Sequence, residues 1–383
     1  MLAASLLVAG IGAAPASASP QATRIAALVD HMTTKQKIGQ MMMVSFAGTA
    51  VNSQVAQMLK TIQPGGVTLF GDNFSTPSQL KALDQSLQRN SHIPMFISVD
   101  QEGGEVIRIT SGVKQLPSEQ QYGYENNPAQ VKADTSIEGT QLHKLGINMN
   151  LAPVLDVATP TSIIGSETRS YGPNASRDSA LGLAAIQGYQ SHGIAATAKH
   201  VLGLGTTTTN PETQLPYISL SAKQLTQQLL PFKTASKGGV DAMMVTHVIL
   251  AGITSPTTPA SLSYKVVAGI LRNQLNFKGV IMTDSLTMGA VTARFGIGQA
   301  STMAIGAGED ILLIATGGAT ATNVYSKAMN AVLAKVQSGK ISVSRLNQSV
   351  ARILQLKAKL HLPLPTSPSH PVTLRTGSKS PRW

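Results

Sequence analysis

The chain has 383 residues, of which 42% are hydrophobic and only 13% are charged, a composition that excludes disordered and fibrous proteins. Thirty basic residues against eighteen acidic ones give a formal charge of +12 at pH 7, which favours anionic surroundings such as nucleic acid, acidic lipid or a phosphate-bearing cell wall. Because these charges form no long basic block and only 4% of the residues are aromatic, nucleic-acid binding is not predicted.

The N-terminus predicts an exported protein. Residues 2 to 14 are almost wholly apolar or small, and Ala16, Ser17 and Ala18 then form a cleavage pattern, so residues 1–18 are predicted to be a secretory signal peptide. An unstructured alanine-rich leader is the alternative. The apolar run is too short and too rich in glycine for a membrane span, and the chain has no cysteine for a lipid anchor. We therefore expect a secreted or cell-wall-associated protein without a stable membrane anchor.

Short β-rich apolar runs alternate with longer amphipathic stretches, which is the order of parallel βα units. Eight such runs predict strands at residues 41–46, 66–70, 95–99, 149–155, 195–199, 242–247, 279–283 and 311–315. Eight repeats predict the α/β class and a closed (β/α)₈ barrel of the TIM type, formed by a single domain over residues 19–360.

Apolar residues at spacings of three and four predict helices between these strands. The predicted helices cover residues 53–62, 77–87, 128–145, 179–190, 222–236, 265–275, 320–337 and 342–360, the last with Ser342 as a capping residue. Residues 361–383 contain five prolines, several basic residues and no periodicity, so they are predicted to be a disordered basic tail.

Polar residues follow several of the predicted strands. In a parallel barrel the catalytic groups lie on the loops after the carboxyl ends of the strands, because those loops converge on one mouth. Six titratable side chains meet this condition, namely Asp100, Asp156, Lys199, His200, His247 and Asp284. We expect these side chains to form one polar site.

Seven segments carry a family resemblance. They are GGVTLFGDN (65–73), ISVDQEGGEVIR (97–108), GINMNLAPVLDV (146–157), TRSYG (168–172), ATAKHVLGLG (196–205), VTHV (245–248) and GVIMTDSLTMGAV (279–291). In this order they resemble glycoside hydrolase family 3 over residues 33–360, and above all its one-domain β-N-acetylhexosaminidases, which act on N-acetylglucosamine in peptidoglycan fragments. The resemblance implies a retaining glycosidase that needs no cofactor and uses a pair of proton-transferring and nucleophilic groups.

Asp284 in TDSL matches the family nucleophile; without the family, an Asp after a buried strand is equally typical of a helix N-cap. Asp100 and Arg108 match positions that hydrogen-bond the sugar hydroxyls, and the alternative is an ion pair that closes their loop. No histidine lies in a metal-binding motif with carboxylates, so no metal is predicted.

Arg169, Lys199 and His200 also match substrate-binding positions, although Arg169 follows Ser-Glu-Thr, which differs from the lead-in that the family pattern suggests. His247 matches a substrate-binding histidine, with a buried core histidine as the alternative. Asp156 is predicted to be a structural carboxylate that supports the site.

The loop at residues 199–216 departs from the resemblance. The hexosaminidase branch has KHFPGHGDTxxDSHxxLP here. The His of DSH is the acid/base in that branch, and the Asp of DSH, two residues earlier, orients it. This chain has Asn210 and Glu212 in those two positions. Because carboxylic acids perform acid/base catalysis in other glycosidases, Glu212 is predicted to take this role, with Asn210 as an uncharged orienting partner. Glu212 as an ordinary exposed loop residue is the alternative.

Two other functions stay open from the sequence. One is a β-glucosidase or β-xylosidase of the same family. The other is a secreted sugar-binding protein that kept the barrel and lost the proton-transfer residue.

Overall fold

The structure is a computed structural model that describes residues 19–316 and 320–365. The predicted signal peptide at residues 1–18 lies outside the described residues, as does the tail from residue 366 onwards. Residues 361–365, the first part of the predicted tail, lie against the body of the protein, where Leu362 and Leu364 pack on the hydrophobic core.

Eight parallel strands form the central barrel. In chain order they are β1 Met42–Val44, β2 Gly66–Leu69, β3 Phe96–Val99, β4 Met149–Asn150, β5 Ala195–Val201, β6 Ala242–Val245, β7 Val280–Thr283 and β8 Leu312–Ile314. Strands β1 to β7 each pair with the next strand along the chain, and β8 pairs with β1. β7 and β8 are linked by the parallel bridge of Met282 with Ile311. The ring closes where the N–H of Thr283 donates to the carbonyl oxygen of Ile311 over 3.0 Å. The predicted (β/α)₈ barrel is therefore confirmed.

All eight predicted strands are present, with shorter bounds in most cases. The largest difference is at β4, which was expected to continue to residue 155 and ends at Asn150. Beyond Asn150 single backbone hydrogen bonds to β3 and β5 continue, such as those from Leu151 to Val99 and from Thr197 to Ala152, each 2.9 Å long. A regular ladder does not continue, because the ring nitrogen of Pro153 has no hydrogen to donate. A separate two-stranded parallel sheet, Tyr217–Ile218 with Ile249–Leu250, lies outside the barrel and is too short to be recognised from periodicity.

Helices surround the barrel, and all eight predicted helices are present. The α-helices are Pro20–His31, Thr34–Gln40, Ser53–Ile62, Pro77–Arg89, Glu119–Glu125, Pro128–Leu145, Ile163–Ser166, Ala175–Gln190, Ala222–Lys237, Gly289–Thr292, Ile297–Ala307, Thr322–Gln337 and Val343–Lys359. Gly71–Asn73 and Ala260–Leu262 are 3₁₀ helices, and Lys265–Gln274 is a π-helix. As expected, Ser342 caps the last α-helix, because its Oγ accepts from the N–H of Arg345 over 3.1 Å.

The helix Ile297–Ala307 was not predicted, and its surroundings give the reason. It packs against the helix Thr322–Gln337 on one side and the π-helix and the 3₁₀ helix Ala260–Leu262 on the other. A helix covered on several sides carries small and apolar residues all round, so its sequence lacks the polar face that makes periodicity visible.

Apolar side chains fill both the inside of the barrel and the space between its strands and the helices, and Met42, Met43 and Ile97 are among those that are fully buried. Near the amino ends of the strands, buried Lys357 donates from Nζ to the side-chain oxygen of Gln40 over 2.8 Å and lies 5.1 Å from the ring centre of Phe96. Within residues 19–316 and 320–365, no helix is both long and apolar enough to cross a membrane.

Candidate active site

A cavity of about 620 Å³ opens at the carboxyl ends of the barrel strands. Eight of the ten predicted site residues line it, namely Asp100, Arg108, Arg169, Lys199, His200, Asn210, Glu212 and Asp284. The other two, Asp156 and His247, lie behind its wall. The strand-end pattern therefore located the cavity, while the chemical role of each residue stays a prediction.

Asp284 directly follows strand β7, and its backbone N–H donates to the carbonyl oxygen of Val245 over 2.9 Å. Its side chain is half-buried, and one carboxylate oxygen accepts from the N–H of Ser285 over 2.7 Å. No helix begins at Asp284, because the next one starts at Gly289, so the N-cap alternative is not met. Within residues 19–316 and 320–365 this is the hydrogen bond that holds the Asp284 carboxylate, and a carboxylate held so lightly in an open cavity is suited to attack an electrophilic carbon.

One wall of the cavity is an ion-pair chain, by which we mean the alternating series Asp100, Lys199, Glu102, Arg169 and Glu167. Lys199 Nζ lies 2.7 Å from Asp100 Oδ1 and 2.6 Å from Glu102 Oε1. Arg169 donates to both oxygens of Glu102 at 2.8 and 2.9 Å, and to Glu167 at 3.0 Å. Bidentate contacts of this kind hold side chains in a fixed geometry.

Glu102 lies at the centre of the ion-pair chain, and the sequence analysis did not identify it as a site residue. Its side chain is only 2% exposed. Burial alone would raise the pKa of Glu102, but the charges and hydrogen bonds of Lys199 and Arg169 hold that pKa at about 2. Burial also opposes the charge of Lys199, yet Asp100 and Glu102 raise the pKa of its ammonium group. The available signal was the position of Glu102 two residues after Asp100 in the same motif.

Arg108 is a cation that lines the cavity but does not belong to the ion-pair chain. Its guanidinium carbon is 5.9 Å from the ring centre of Phe70, and within the described part of the chain it forms no ion pair and its buried Nε has no partner. The alternative of an Asp100–Arg108 ion pair is therefore not met, because Asp100 pairs with Lys199. Gln101 closes the loop instead, since its side-chain oxygen accepts from the N–H groups of Arg108 and Ile109 at 2.9 and 3.0 Å. Arg108 is left with N–H groups for a ligand.

His200 is held from behind by Asp156. Oδ2 of Asp156 lies 2.7 Å from Nδ1 of His200 and accepts from the backbone N–H of the same residue over 3.2 Å, while Oδ1 accepts from the N–H of Leu204. Asp156 is completely buried. A carboxylate bonded to Nδ1 orients the ring, and His200 lines the cavity, so the arrangement agrees with the supporting role predicted for Asp156.

His247 is a correction to the predicted set. It is completely buried and does not line the cavity. Nδ1 lies 2.6 Å from Oγ of Ser261, and Nε2 lies 2.9 Å from the carbonyl oxygen of Ser285, so both ring nitrogens have protein partners. Burial lowers the pKa of His247. The sequence does not show whether a histidine after a strand faces a ligand or the protein interior. Here His247 faces the interior and contacts the segment next to Asp284.

Glu212 lies on a turn at the edge of the cavity, with an exposed side chain. The carbonyl oxygens of Pro211 and Glu212 accept from the N–H groups of Ala290 and Gly289 at 3.0 and 2.8 Å. Desolvation against the cavity wall and the negative charges of Asp284 and Asp100 raise the pKa of Glu212. The loop is therefore fastened to the segment that follows Asp284.

Asn210 has a different contact from the one predicted. Its side-chain oxygen accepts from the backbone N–H of Glu212 over 2.9 Å, so it shapes the turn and does not touch the carboxylate. An amide oxygen that caps its own turn two residues on is typical of Asn in loops.

In residues 19–316 and 320–365, no group of three or more histidines and carboxylates is arranged to hold a metal ion.

Comparison with known proteins gives a family for most of the chain. Residues 33–356 match the model described as the glycosyl hydrolase family 3 N terminal domain. Beta-hexosaminidase A of Pseudoalteromonas piscicida is 29% identical over 369 residues, which cover 86% of this chain and 62% of that protein. Beta-hexosaminidase of Stenotrophomonas maltophilia is 31% identical over 282 residues, covering 72% of this chain and 83% of that protein.

A solved structure agrees with these matches. The family 3 beta-N-acetylglucosaminidase from Paenibacillus sp. superimposes with a TM-score of 0.82 at 35% identity, covering 86% of this chain and 63% of that one. The chain thus spans just under two thirds of the length of that structure and of the Pseudoalteromonas protein.

Proposed function

The chain belongs to glycoside hydrolase family 3, and on that basis we propose that it is a retaining glycosidase that removes terminal β-linked N-acetylglucosamine from cell-wall fragments or oligosaccharides. The names of the relatives, beta-hexosaminidase and beta-N-acetylglucosaminidase, support N-acetylglucosamine as the sugar that is removed. The observation that carries the proposal is the pairing of Asp284 with Glu212. Both line one cavity, and backbone hydrogen bonds fasten the Glu212 loop to the segment after Asp284.

In the first step, a carboxylate oxygen of Asp284 attacks the anomeric carbon, and the bond from that carbon to the glycosidic oxygen breaks. The leaving oxygen takes the proton of the Glu212 carboxylic acid, so a glycosyl ester forms on Asp284 and Glu212 becomes a carboxylate. The raised pKa of Glu212 favours the protonated form that this step needs.

In the second step, Glu212 accepts a proton from water as the water oxygen attacks the anomeric carbon. The ester bond breaks, Asp284 leaves as a carboxylate, and Glu212 is protonated again. Two displacements at the same carbon restore the β configuration. The ion-pair chain, His200 and Arg108 supply fixed donors and acceptors for the hydroxyl groups of the bound sugar.

The net positive charge of the chain supports a proposal about where the enzyme acts. A net charge of +12 attracts the chain to anionic polymers, and the apolar N-terminal run is typical of an export signal. We therefore place the enzyme outside the cell, on phosphate-bearing wall material. Binding of the purified protein to isolated cell walls, and its release by salt, tests this part.

A panel of nitrophenyl glycosides tests the activity. Release from the N-acetyl-β-glucosaminide and not from the β-glucoside or β-xyloside is the expected result. Release only from the last two would make the protein another glycosidase of the family, and binding of N-acetylglucosamine without any release would make it a sugar-binding homologue. Proton NMR of the first-formed sugar checks the stereochemistry, since initial appearance of the α-anomer would contradict the two-step mechanism.

A further inference from the structure

Glu167 is the most exposed of the three carboxylates in the ion-pair chain. It follows the helix Ile163–Ser166, lines the cavity, and has a side chain that is 37% exposed. It ends the ion-pair chain, through its 3.0 Å contact with Arg169 Nη1. It also belongs to the Ser-Glu-Thr segment in which the sequence departs from the family pattern before Arg169.

The backbone between these two residues is unusual. Thr168 has a φ of 57°, in the left-handed region that β-branched residues rarely adopt. The conformation is fixed from both sides, because the N–H of Thr168 donates to Gly165 over 3.1 Å and its carbonyl oxygen accepts from Gln120 over 3.2 Å. Backbone outliers of this kind persist where the surroundings enforce them, often at functional sites. Here the outlier lies between two residues that both line the cavity and share a hydrogen bond.

The charge of Glu167 reaches the turn that carries Glu212. Desolvation and the negative charges of Asp284 and Asp100 are the main causes of the raised pKa of Glu212. Of the nearby ion pair, the positive charge of Arg169 lowers that pKa and the negative charge of Glu167 raises it. Glu167 and Arg169 therefore act on this carboxyl group with opposite signs, and their 3.0 Å contact fixes the two charges relative to each other.

We propose that Glu167 is a positioning residue: its ion pair holds Arg169 in the cavity wall and fixes a negative charge in the cavity that Glu212 also lines, so that the Glu212 carboxylic acid keeps its proton until the glycosidic bond breaks. This inference rests on the proposed function, in which Glu212 donates that proton. Because Glu167 is already bonded to Arg169, it acts as a fixed charge and does not itself transfer a proton.

The test measures Glu212 directly. The chain has eight glutamates, so ¹³C-carboxyl labelling of glutamate gives a small set of NMR signals, and the Glu212 signal is the one lost in Glu212→Gln. In Glu167→Gln the pKa of Glu212 is expected to fall, because a negative neighbour is removed and Arg169 keeps only the carboxylate of Glu102 as a partner. Glu167→Asp, which keeps the charge, is expected to stay closer to the parent.

Glu105→Gln is the matched control, since Glu105 is exposed, does not line the cavity and forms no ion pair within the described ranges. An unchanged Glu212 titration in Glu167→Gln, or an equal shift in Glu105→Gln, would overturn the inference. When the parent hydrolyses the substrate, the alkaline fall of kcat/KM with pH should move to lower pH in Glu167→Gln, as the pKa of Glu212 does. An NMR shift in a chain that releases no sugar would leave the electrostatic link intact and reject the proposed function instead.

Discussion

The backbone N–H of Gly289 donates to the carbonyl oxygen of Glu212 over 2.8 Å. Gly289 lies five residues after Asp284 and begins the helix Gly289–Thr292. The neighbouring bond, from Ala290 to Pro211, is 3.0 Å long. The turn that carries Glu212 is thus held in place by the segment that carries Asp284, although the two segments are more than seventy residues apart in the chain.

Replacing Gly289 tests this link. A Cβ atom at Gly289 would lie 2.5 Å from the carbonyl oxygen of Thr213 and 2.8 Å from that of Glu212, so the turn must move in Gly289→Ala. We expect turnover to fall by about tenfold to a hundredfold, because a displacement near 1 Å is costly at a reacting centre. Gly306→Ala is the control, since nothing lies within 4 Å of its Cβ position. Parental kinetics in Gly289→Ala would show that the turn is not held through this contact.

Asp284→Asn tests the nucleophile. The change keeps the size of the side chain and removes its negative charge, so we expect turnover to fall by at least about a thousandfold. Thermal unfolding monitored by circular dichroism should stay cooperative with a similar midpoint, because among the described residues the side chain has one hydrogen-bond partner, its neighbour Ser285. Near-parental turnover in this variant would assign the nucleophile to another residue.

The pH dependence of stability is set partly by buried carboxyl groups. Burial raises the pKa of Glu138 from 4.5 to about 8, and its Oε2 accepts from the hydroxyl of Tyr189 over 2.7 Å. The folded chain holds this proton more tightly than the unfolded chain does, so the stabilisation is complete below pH 4.5 and is lost as the pH rises to 8.

We therefore expect the free energy of unfolding to fall across that range, and Glu138→Gln to reduce the slope by about 1.4 kcal/mol per pH unit. Urea unfolding at several pH values measures it. Asp178, whose pKa is also raised to about 8 by burial, offers a second site for comparison in Asp178→Asn. A slope in Glu138→Gln equal to that of the parent would mean that this proton is not held in the folded chain.

The sequence was most informative where one local property decides the structure. Strands β1 to β8 are buried, and their apolar runs were visible without any tertiary information. The cavity followed from the position of polar residues at strand ends, as for Asp100 and Asp284. These predictions rest on chain order and alternation alone, which a single sequence contains.

The site features that were missed depend on contacts between distant parts of the chain. The place of Glu102 in the site depends on its ion pairs with Lys199 and Arg169. The orientation of the His247 ring depends on the contacts of its two nitrogens with Ser261 and Ser285. A sequence shows that a charged or ring side chain is present, but the partner decides whether it faces the cavity or supports it. Asn210 shows the same limit within one loop, since its side chain bonds the backbone of Glu212 and not its carboxylate.

The pairing of Asp284 with Glu212 is tested most directly by the leaving-group dependence of Glu212→Gln, with Glu105→Gln as control. Hydrolysis of N-acetylglucosaminides with poor leaving groups should be crippled, while activated nitrophenyl glycosides, which need little protonation, should lose far less, and added azide should partly restore their turnover. Parental behaviour of Glu212→Gln on both kinds of substrate would contradict the assignment and turn attention to His200 as the proton donor.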